Sequence, residues 1–240
     1  MIVDGDAHRD ADVVRLMAWL SPSFPVGAYT YSHGIEYAIE AGLVSDRETL
    51  TAWIAHILTH GSGRSDAILA RAADDAVTAG DVDLFSEVAI WADVYRATPE
   101  MALESVSQGG AFLDTATAAW PEINVPPWRA VLETIERPPA YSVALGLVSA
   151  LSEIPVRLML NAFLHAFAAN LISAGVRLVP LGQTDGQRAT ADLERTVLGV
   201  ADDVASLERI ILPDHLGAAA PMVDWTSIQH ETQYTRLFRS

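Results

Sequence analysis

Hydrophobic residues recur along most of the chain at the spacing of an α-helix. One set predicts a first helix that ends near Ser21, with an apolar face formed by Val13, Leu16, Met17 and Leu20. A second set predicts a helix that ends at Gly61 and buries Leu50, Trp53, Ile54, Ile57 and Leu58. A third predicts a helix through Leu84, Val88, Trp91 and Tyr95. Because no convincing run alternates polar and apolar residues, we expect no β-sheet.

Polar residues that can cap helices mark where other helices begin. Three pairs have the required spacing: Ser45 with Glu48, Thr98 with Pro99, and Thr184 with Gln187. In such a pair the first side chain accepts a hydrogen bond from an amide that the first helical turn leaves free. The last pair predicts a helix over about residues 185–203, with Thr184 as its cap.

The second half of the chain joins a proline-rich segment to the most apolar helices. Five of the twelve prolines fall within residues 121–139, which predicts a loop with one short turn near Trp128. Apolar helices are predicted over residues 141–151 and 155–175. The helix that begins after Thr98 carries small residues that would let another helix approach closely: Ser105, Ser107, Gly109, Gly110 and Ala111.

These patterns predict an all-α protein, a single-domain helical bundle of roughly eight to ten helices over residues 1–240. We expect a flexible N-terminus over about residues 1–10. A glycine- and alanine-rich link, from about residue 214, predicts a distinct C-terminal tail that ends at residue 240.

The composition narrows the classes of partner and of chemistry. The chain has 31 acidic and 15 basic residues, a net charge of -16, which disfavours nucleic acid and anionic membranes and favours basic protein surfaces. It has no cysteine, which excludes disulfides, thiolate metal sites and a cysteine nucleophile, and no lysine, which excludes Schiff-base chemistry. Because its acidic start is unlike a signal peptide, we predict a cytoplasmic protein.

The longest apolar stretch, residues 154–179, resembles a membrane span only in part. Polar side chains would lie at bilayer depth: Arg157, Asn161, His165, Asn170 and Arg177. We therefore interpret the stretch as a buried central helix. Arg157, Asn161 and His165 step by four residues, which favours a polar stripe that bonds a neighbouring element. The alternative is a small helical enzyme that uses Arg157 and His165 for acid–base chemistry.

The sequence contains none of the common catalytic signatures, neither a P-loop, nor H-E-x-x-H, nor G-x-S-x-G. We therefore assign no catalytic residue, no cofactor and no metal site. His56 and His60 have the spacing of a metal pair on one helix. The simpler interpretation is that His60 interacts with the free carbonyls of the last helical turn.

Three segments carry more polar and special residues than folding requires. The first motif, residues 20–36, consists of a loop rich in proline and glycine and, after it, aromatic residues, a histidine and a glutamate. The second motif, residues 180–188, reads PLGQTDGQR. The third segment, residues 224–240, forms the end of the tail and places aromatic and aliphatic residues among polar ones. Each could also be a capped turn, or a helix that packs on its own domain.

These segments resemble the motifs of a known family. The run SPSFPVGAYTYSHGIE looks like the N-terminal signature of the UreF urease accessory proteins. RLVPLGQTDGQR resembles their internal motif, and HETQYTRLFRS their C-terminal ending. The order and spacing of the three also agree, and the resemblance extends from about Val13 to Ser240.

The resemblance implies a function without catalysis. UreF proteins are all-helical, form homodimers, bind the accessory protein UreD (also called UreH) and through it recruit the GTPase UreG. The assembly acts on urease apoprotein, where nickel is installed. The expectation is thus a scaffold in nickel insertion, with a small helical enzyme or a direct nickel-binding protein as alternatives. The resemblance also implies the partner-binding residues, which are Pro25, Gly27, Tyr31, Ser32, His33, Glu36, Gly182, Gln183, Asp185, Gln187, Arg188, His230, Tyr234, Arg236, Leu237 and Phe238.

Overall fold

A computed structural model describes residues 4–239, which contain twelve α-helices, two 3₁₀ turns and no β-strand. The α-helices are α1 (Asp4–Trp19), α2 (Ile35–Glu40), α3 (Arg47–His60), α4 (Ser62–Ala79), α5 (Val82–Val94), α6 (Pro99–Ala119), α7 (Pro126–Thr134), α8 (Tyr141–Leu151), α9 (Val156–Leu178), α10 (Gln183–Ala205), α11 (Leu212–His215) and α12 (Pro221–His230). The 3₁₀ turns cover Ala28–Thr30 and Pro121–Ile123. The all-α prediction is confirmed. Of the segment predicted to be flexible, residues 1–3 lie outside the described residues, and α1 covers the rest.

The core is built around α4, α8 and α9. Helix α4 packs along α8, while α9 packs against α10, α3 and α4. The backbones of α4 and α8 come very close at Gly146, where a Cβ atom would lie only 2.3 Å from the carbonyl oxygen of Ala70. The neighbouring side chain of Leu145 is fully buried.

Helix α6 approaches the start of α8 in the same way. A Cβ atom on Gly109 would lie only 1.9 Å from the carbonyl oxygen of Pro139. The small residues of α6 therefore permit the close contact that the sequence predicted. The proline-rich segment before α8 contains the nine-residue helix α7, where the sequence predicted only a short turn.

Helix α9 is a core helix on one side and a surface helix on the other. By length and composition it is the one helix within residues 4–239 that could span a membrane, and half of its most apolar stretch is buried inside the protein. The polar stripe lies at the surface: Arg157 pairs with Asp202 of α10 at 2.6 Å and is largely exposed. His165 is exposed as well. The interpretation of the stretch as a buried helix therefore holds for one side only, and Arg157 bonds the neighbouring α10 from the exposed side.

Two of the three predicted caps are displaced. Thr98 does cap α6, since its hydroxyl accepts a hydrogen bond from the amide of Met101. Helix α3, however, is capped by Asp46, which forms the reciprocal pair with Thr49. Helix α10 begins after Gly182 without a side-chain cap, so Thr184 lies within the first helical turn. After α10, the short α11 begins at Leu212.

Candidate functional site

The fold brings the first motif and the C-terminal tail together. The first motif crosses the 3₁₀ turn Ala28–Thr30 and enters α2. Helix α12 packs against α2, and the residues after it continue along the same surface. Before α12, the amide of Ala219 donates to the carbonyl of His60 at 2.8 Å. In this conformation the link to the tail therefore runs against the body of the bundle.

A glycine at the start of α2 sets how closely the tail can approach. Gly34 has a φ of 75°, and a Cβ atom there would lie 2.7 Å from the amide nitrogen of Ser227. The neighbouring Ser227 hydroxyl also lies 3.1 Å from that of Thr98. Because Gly34 has no side chain, the backbone of α12 rests directly on the end of the first motif.

Glu36 makes three polar contacts with the tail. Its carboxylate accepts hydrogen bonds from the amides of Leu237 at 2.7 Å and Phe238 at 3.0 Å. A ring nitrogen of His230 lies 3.2 Å from the same carboxylate. The Glu36 side chain is buried, and a buried carboxylate requires such donors.

The other side of the His230 ring faces a second carboxylate. Its Nδ1 atom lies 2.9 Å from Glu100 Oε2, and the ring itself is completely buried. Arg236 donates to the other oxygen of Glu100. The carboxylates of Glu36 and Glu100, on α2 and α6, therefore hold the tail at two points.

The end of the tail divides into an inner and an outer face. Phe238 is 5% exposed and lies under the guanidinium of Arg177, whose Cζ atom is 4.4 Å from the ring centroid. Its neighbour Leu237 is 75% exposed, and Tyr234 is fully exposed. The amide of Arg239 donates to the carbonyl of Thr30 at 2.7 Å and fixes the last turn.

The outer face of the tail is rich in apolar side chains. Five of them are exposed: Met222, Trp225, Ile228, Tyr234 and Leu237. Trp225 also contacts Tyr37 of α2 edge to face, with ring centroids 5.4 Å apart. We call these five residues the tail surface. Exposed apolar side chains that lie close together can form a protein–protein contact.

The second motif begins α10, after the end of α9 that carries Arg177. Asp185 and Arg188 form an ion pair at 3.1 Å. Gly186 is buried, and a Cβ atom there would lie 3.1 Å from Val176. The side chains of Gln183, Gln187 and Arg188 face solvent.

The predicted site residues therefore fall into two groups. One group is exposed or half-buried: Pro25, Gly27, Gly182, Gln183, Asp185, Gln187, Arg188, Tyr234, Arg236 and Leu237. The other is buried in this conformation: Tyr31, Ser32, His33, Glu36, His230 and Phe238. The buried group contacts its own chain, so any effect it has on a partner is indirect.

A cluster of buried charges lies beside the first motif. His33 Nε2 is 3.0 Å from Glu104 Oε1, and Arg96 pairs with Asp66 at 2.9 Å. Burial alone would lower the pKa of His33, but the charge and hydrogen bond of Glu104 outweigh it and raise the pKa above its ordinary value. These pairs line a cavity of about 550 Å³ between α1, α6 and α9. Within each pair the two opposite charges compensate one another, while the Nδ1 atom of His33 has no hydrogen-bond partner.

The histidine pair of α3 has little support as a metal site. The rings of His56 and His60 lie side by side, with centroids 5.1 Å apart and their planes tilted by 52°. Within the described residues, no group of three or more His, Cys, Asp or Glu side chains could hold a metal ion. A stable site requires more ligands than this pair supplies.

Sequence reasoning missed several residues that hold the tail. Glu100 was not singled out, and Arg177 was noted only as a polar interruption of an apolar stretch. Both lie far from the tail in sequence, so no local pattern connects them to it. The excess of acidic residues was one signal that such contacts exist, because a buried carboxylate needs basic or amide donors from elsewhere in the chain.

Comparison with known proteins identifies relatives along the whole chain. The family model described as UreF matches residues 44–194. A protein of Rhodopseudomonas palustris (strain BisB18) is 48% identical over 236 residues, 98% of this chain and 94% of its own. One from Granulibacter bethesdensis is 46% identical over 96% of this chain and 95% of its own. One from Bradyrhizobium sp. (strain ORS 278) is 44% identical over 96% and 92%. All three are named urease accessory protein UreF.

Proposed function

Because the chain belongs to the UreF family of urease accessory proteins, we propose that it serves urease maturation as a non-catalytic scaffold. In this role it binds a UreD/UreH-type accessory protein, and the complex then recruits the UreG GTPase and engages urease apoprotein for nickel insertion. The scaffold acts as a homodimer in the cytoplasm and needs no cofactor of its own.

The exposed apolar tail surface is the single observation that carries this proposal. Tyr234 and Leu237 project into solvent although the chain around them is held by Glu36 and Glu100. A docked segment with exposed large side chains offers a partner an ordered surface, so less conformational entropy is lost on binding. Aromatic and aliphatic anchors of this kind dominate binding energy at protein interfaces.

The two groups of motif residues have different roles in this proposal. Tyr234, Arg236 and Leu237 of the tail touch the UreD/UreH-type protein. Exposed residues of the second motif, such as Gln187 and Arg188, serve a separate contact within the assembly. The buried group supports these surfaces from below. The net charge of -16 favours partners that present basic surfaces.

The proposal is tested by co-expression with a UreD/UreH-type protein and affinity capture. The variant Tyr234→Ser with Leu237→Ser removes both outward anchors without touching the core. We expect its capture of the partner to fall at least about tenfold, because each buried anchor contributes about 1 kcal/mol or more. UreG recruitment should fall with it.

A matched control changes two apolar residues that are exposed elsewhere on the chain. Ile90→Ser with Val94→Ser alters α5, where both side chains face solvent. This control should capture the partner normally. Both double variants should retain the helical signal of the wild type in circular dichroism. Normal capture by the tail variant would contradict the proposal.

A further inference from the structure

We infer that Glu36 is a positioning residue for partner binding. It does not face the partner, but it fixes the end of the tail so that Leu237 and Tyr234 point outward. The inference rests on the proposed function and adds a residue that controls the same surface from beneath. Its basis is the set of contacts that one buried carboxylate makes with the tail.

The hydrogen bonds at Glu36 require a carboxylate. Oε1 accepts from the amide of Leu237, while Oε2 accepts from the amide of Phe238 and lies within bonding distance of His230. All the backbone groups here are donors, so both oxygens of residue 36 must accept. A glutamine has the same shape but would turn its own NH₂ group toward one of these donors.

The two amides also determine which side chain is buried. Leu237 and Phe238 are neighbours, yet one is 75% exposed and the other 5%. Since Glu36 binds both amides, it fixes the register of this step of the chain. A shift by one residue would expose the phenylalanine and bury the leucine. The Arg177 guanidinium over the Phe238 ring supports the same register.

The burial of Glu36 depends on the docked tail. Glu36 is nearly inaccessible, and release of the tail would leave its carboxylate without these donors. The tail itself covers this carboxylate, so release of the tail would replace these donors with water, and the docked conformation is favoured by the hydrogen bonds and by burial of Phe238. Partner binding would then select an ordered surface.

The experiment compares Glu36→Gln with the matched variant Glu40→Gln. Glu40 lies on the same helix and accepts from one tail side chain, that of Gln233, at the surface. A glutamine at position 40 can still accept that bond, so this control should behave as wild type. Two quantities are measured on the full chain: hydrogen exchange of the Leu237 and Phe238 amides without partner, and capture of the UreD/UreH-type protein.

For Glu36→Gln we expect exchange of both amides to speed up at least about tenfold. Exchange of amides within α8 and α9 should be unchanged, which a general loss of stability would not allow. Partner capture should fall by a similar factor. Slow exchange in the variant, or fast exchange with normal capture, would overturn the inference.

A second variant covers the case in which Glu36→Gln disturbs the whole fold. Phe238→Ala releases the same turn from the tail side and leaves α2 intact. If Glu36 acts through the tail, the double variant should capture no less partner than the weaker single variant. Additive losses would overturn the inference. A wild-type chain that captures no partner would refute the proposed function itself, while the exchange data would still report on Glu36.

Discussion

Asp74 gives the protein a pH-dependent stability that one substitution should remove. This α4 side chain is 8% exposed, and its Oδ2 atom has no hydrogen-bond partner. Burial, and then the charge of Asp75, raise its pKa from 3.8 to about 7, while Arg71 acts in the opposite direction. Arg71 helps little because its Nε donates to Asp75, and its Nη1 bonds carbonyls at the end of α10. We predict that Asp74→Asn stabilises the protein at alkaline pH.

The sign follows from where the proton is bound. Between pH 4 and pH 7 the folded state keeps the proton of Asp74, whereas the unfolded chain has released it. The free energy of unfolding therefore falls as pH rises through this window, by up to about 1.4 kcal/mol per pH unit. The rise in pKa would correspond to about 4 kcal/mol in total. Because proteins relax around buried charges, we expect about half of that, or ~2 kcal/mol.

The assay is urea denaturation followed by circular dichroism, from pH 5 to pH 8 at constant ionic strength. The stability difference between Asp74→Asn and wild type should grow by about 1–2 kcal/mol across this range. Asp114→Asn is the control, since this exposed aspartate also lies in a helix and the charge change is the same. Its difference from wild type should stay flat. A flat difference for Asp74→Asn, or a less stable variant at pH 8, would refute the reasoning.

Two further predictions concern local structure. Thr98→Ala should lower the free energy of unfolding by about 1 kcal/mol or more, because it removes the cap of α6. Thr184→Ala should change this free energy little, because Thr184 caps no helix. Equal losses for the two variants in urea denaturation would contradict the prediction. Gly109→Ala should cost about 1–3 kcal/mol or more, since its Cβ atom would clash with Pro139. The control is Gly199→Ala in α10, which has open space around it and should stabilise the protein by up to about 1 kcal/mol. Both glycine variants are compared with wild type by thermal melting, and a Gly109→Ala variant as stable as wild type would contradict the close packing.

The long helices could be predicted because their evidence is repeated many times along the sequence. Residues such as Ile54, Ile57 and Leu58 each support the same apolar face, and all three are buried. A cap depends on one residue, so a competing neighbour can displace it. Asp46 caps α3 where Ser45 was expected, and Thr49 completes the pair where Glu48 was expected. The predicted start of α3 was therefore correct to within one residue, which is the usual limit for helix ends.

The site could be predicted as a set of segments but not as a surface. Sequence similarity marked the first motif and the tail, and their mutual contact through Glu36 joins residues about two hundred positions apart. Periodicity carries no information on such contacts. It also misjudged part of α1, where Val13 and Met17 of the predicted apolar face are exposed. Burial depends on which neighbour arrives, and that is a property of the whole fold.

The division of the tail into two faces changes how loss of partner binding should be interpreted. A variant at Phe238 or His230 would weaken capture although neither side chain can reach a partner while the tail is docked. Such a loss shows that the tail is displaced, and it does not locate the interface. Only side chains that are exposed on the docked tail, such as Tyr234 and Leu237, can report a direct contact. A map of the interface therefore requires each capture measurement to be paired with hydrogen exchange at the Leu237 and Phe238 amides, because a contact residue lowers capture while those amides stay protected.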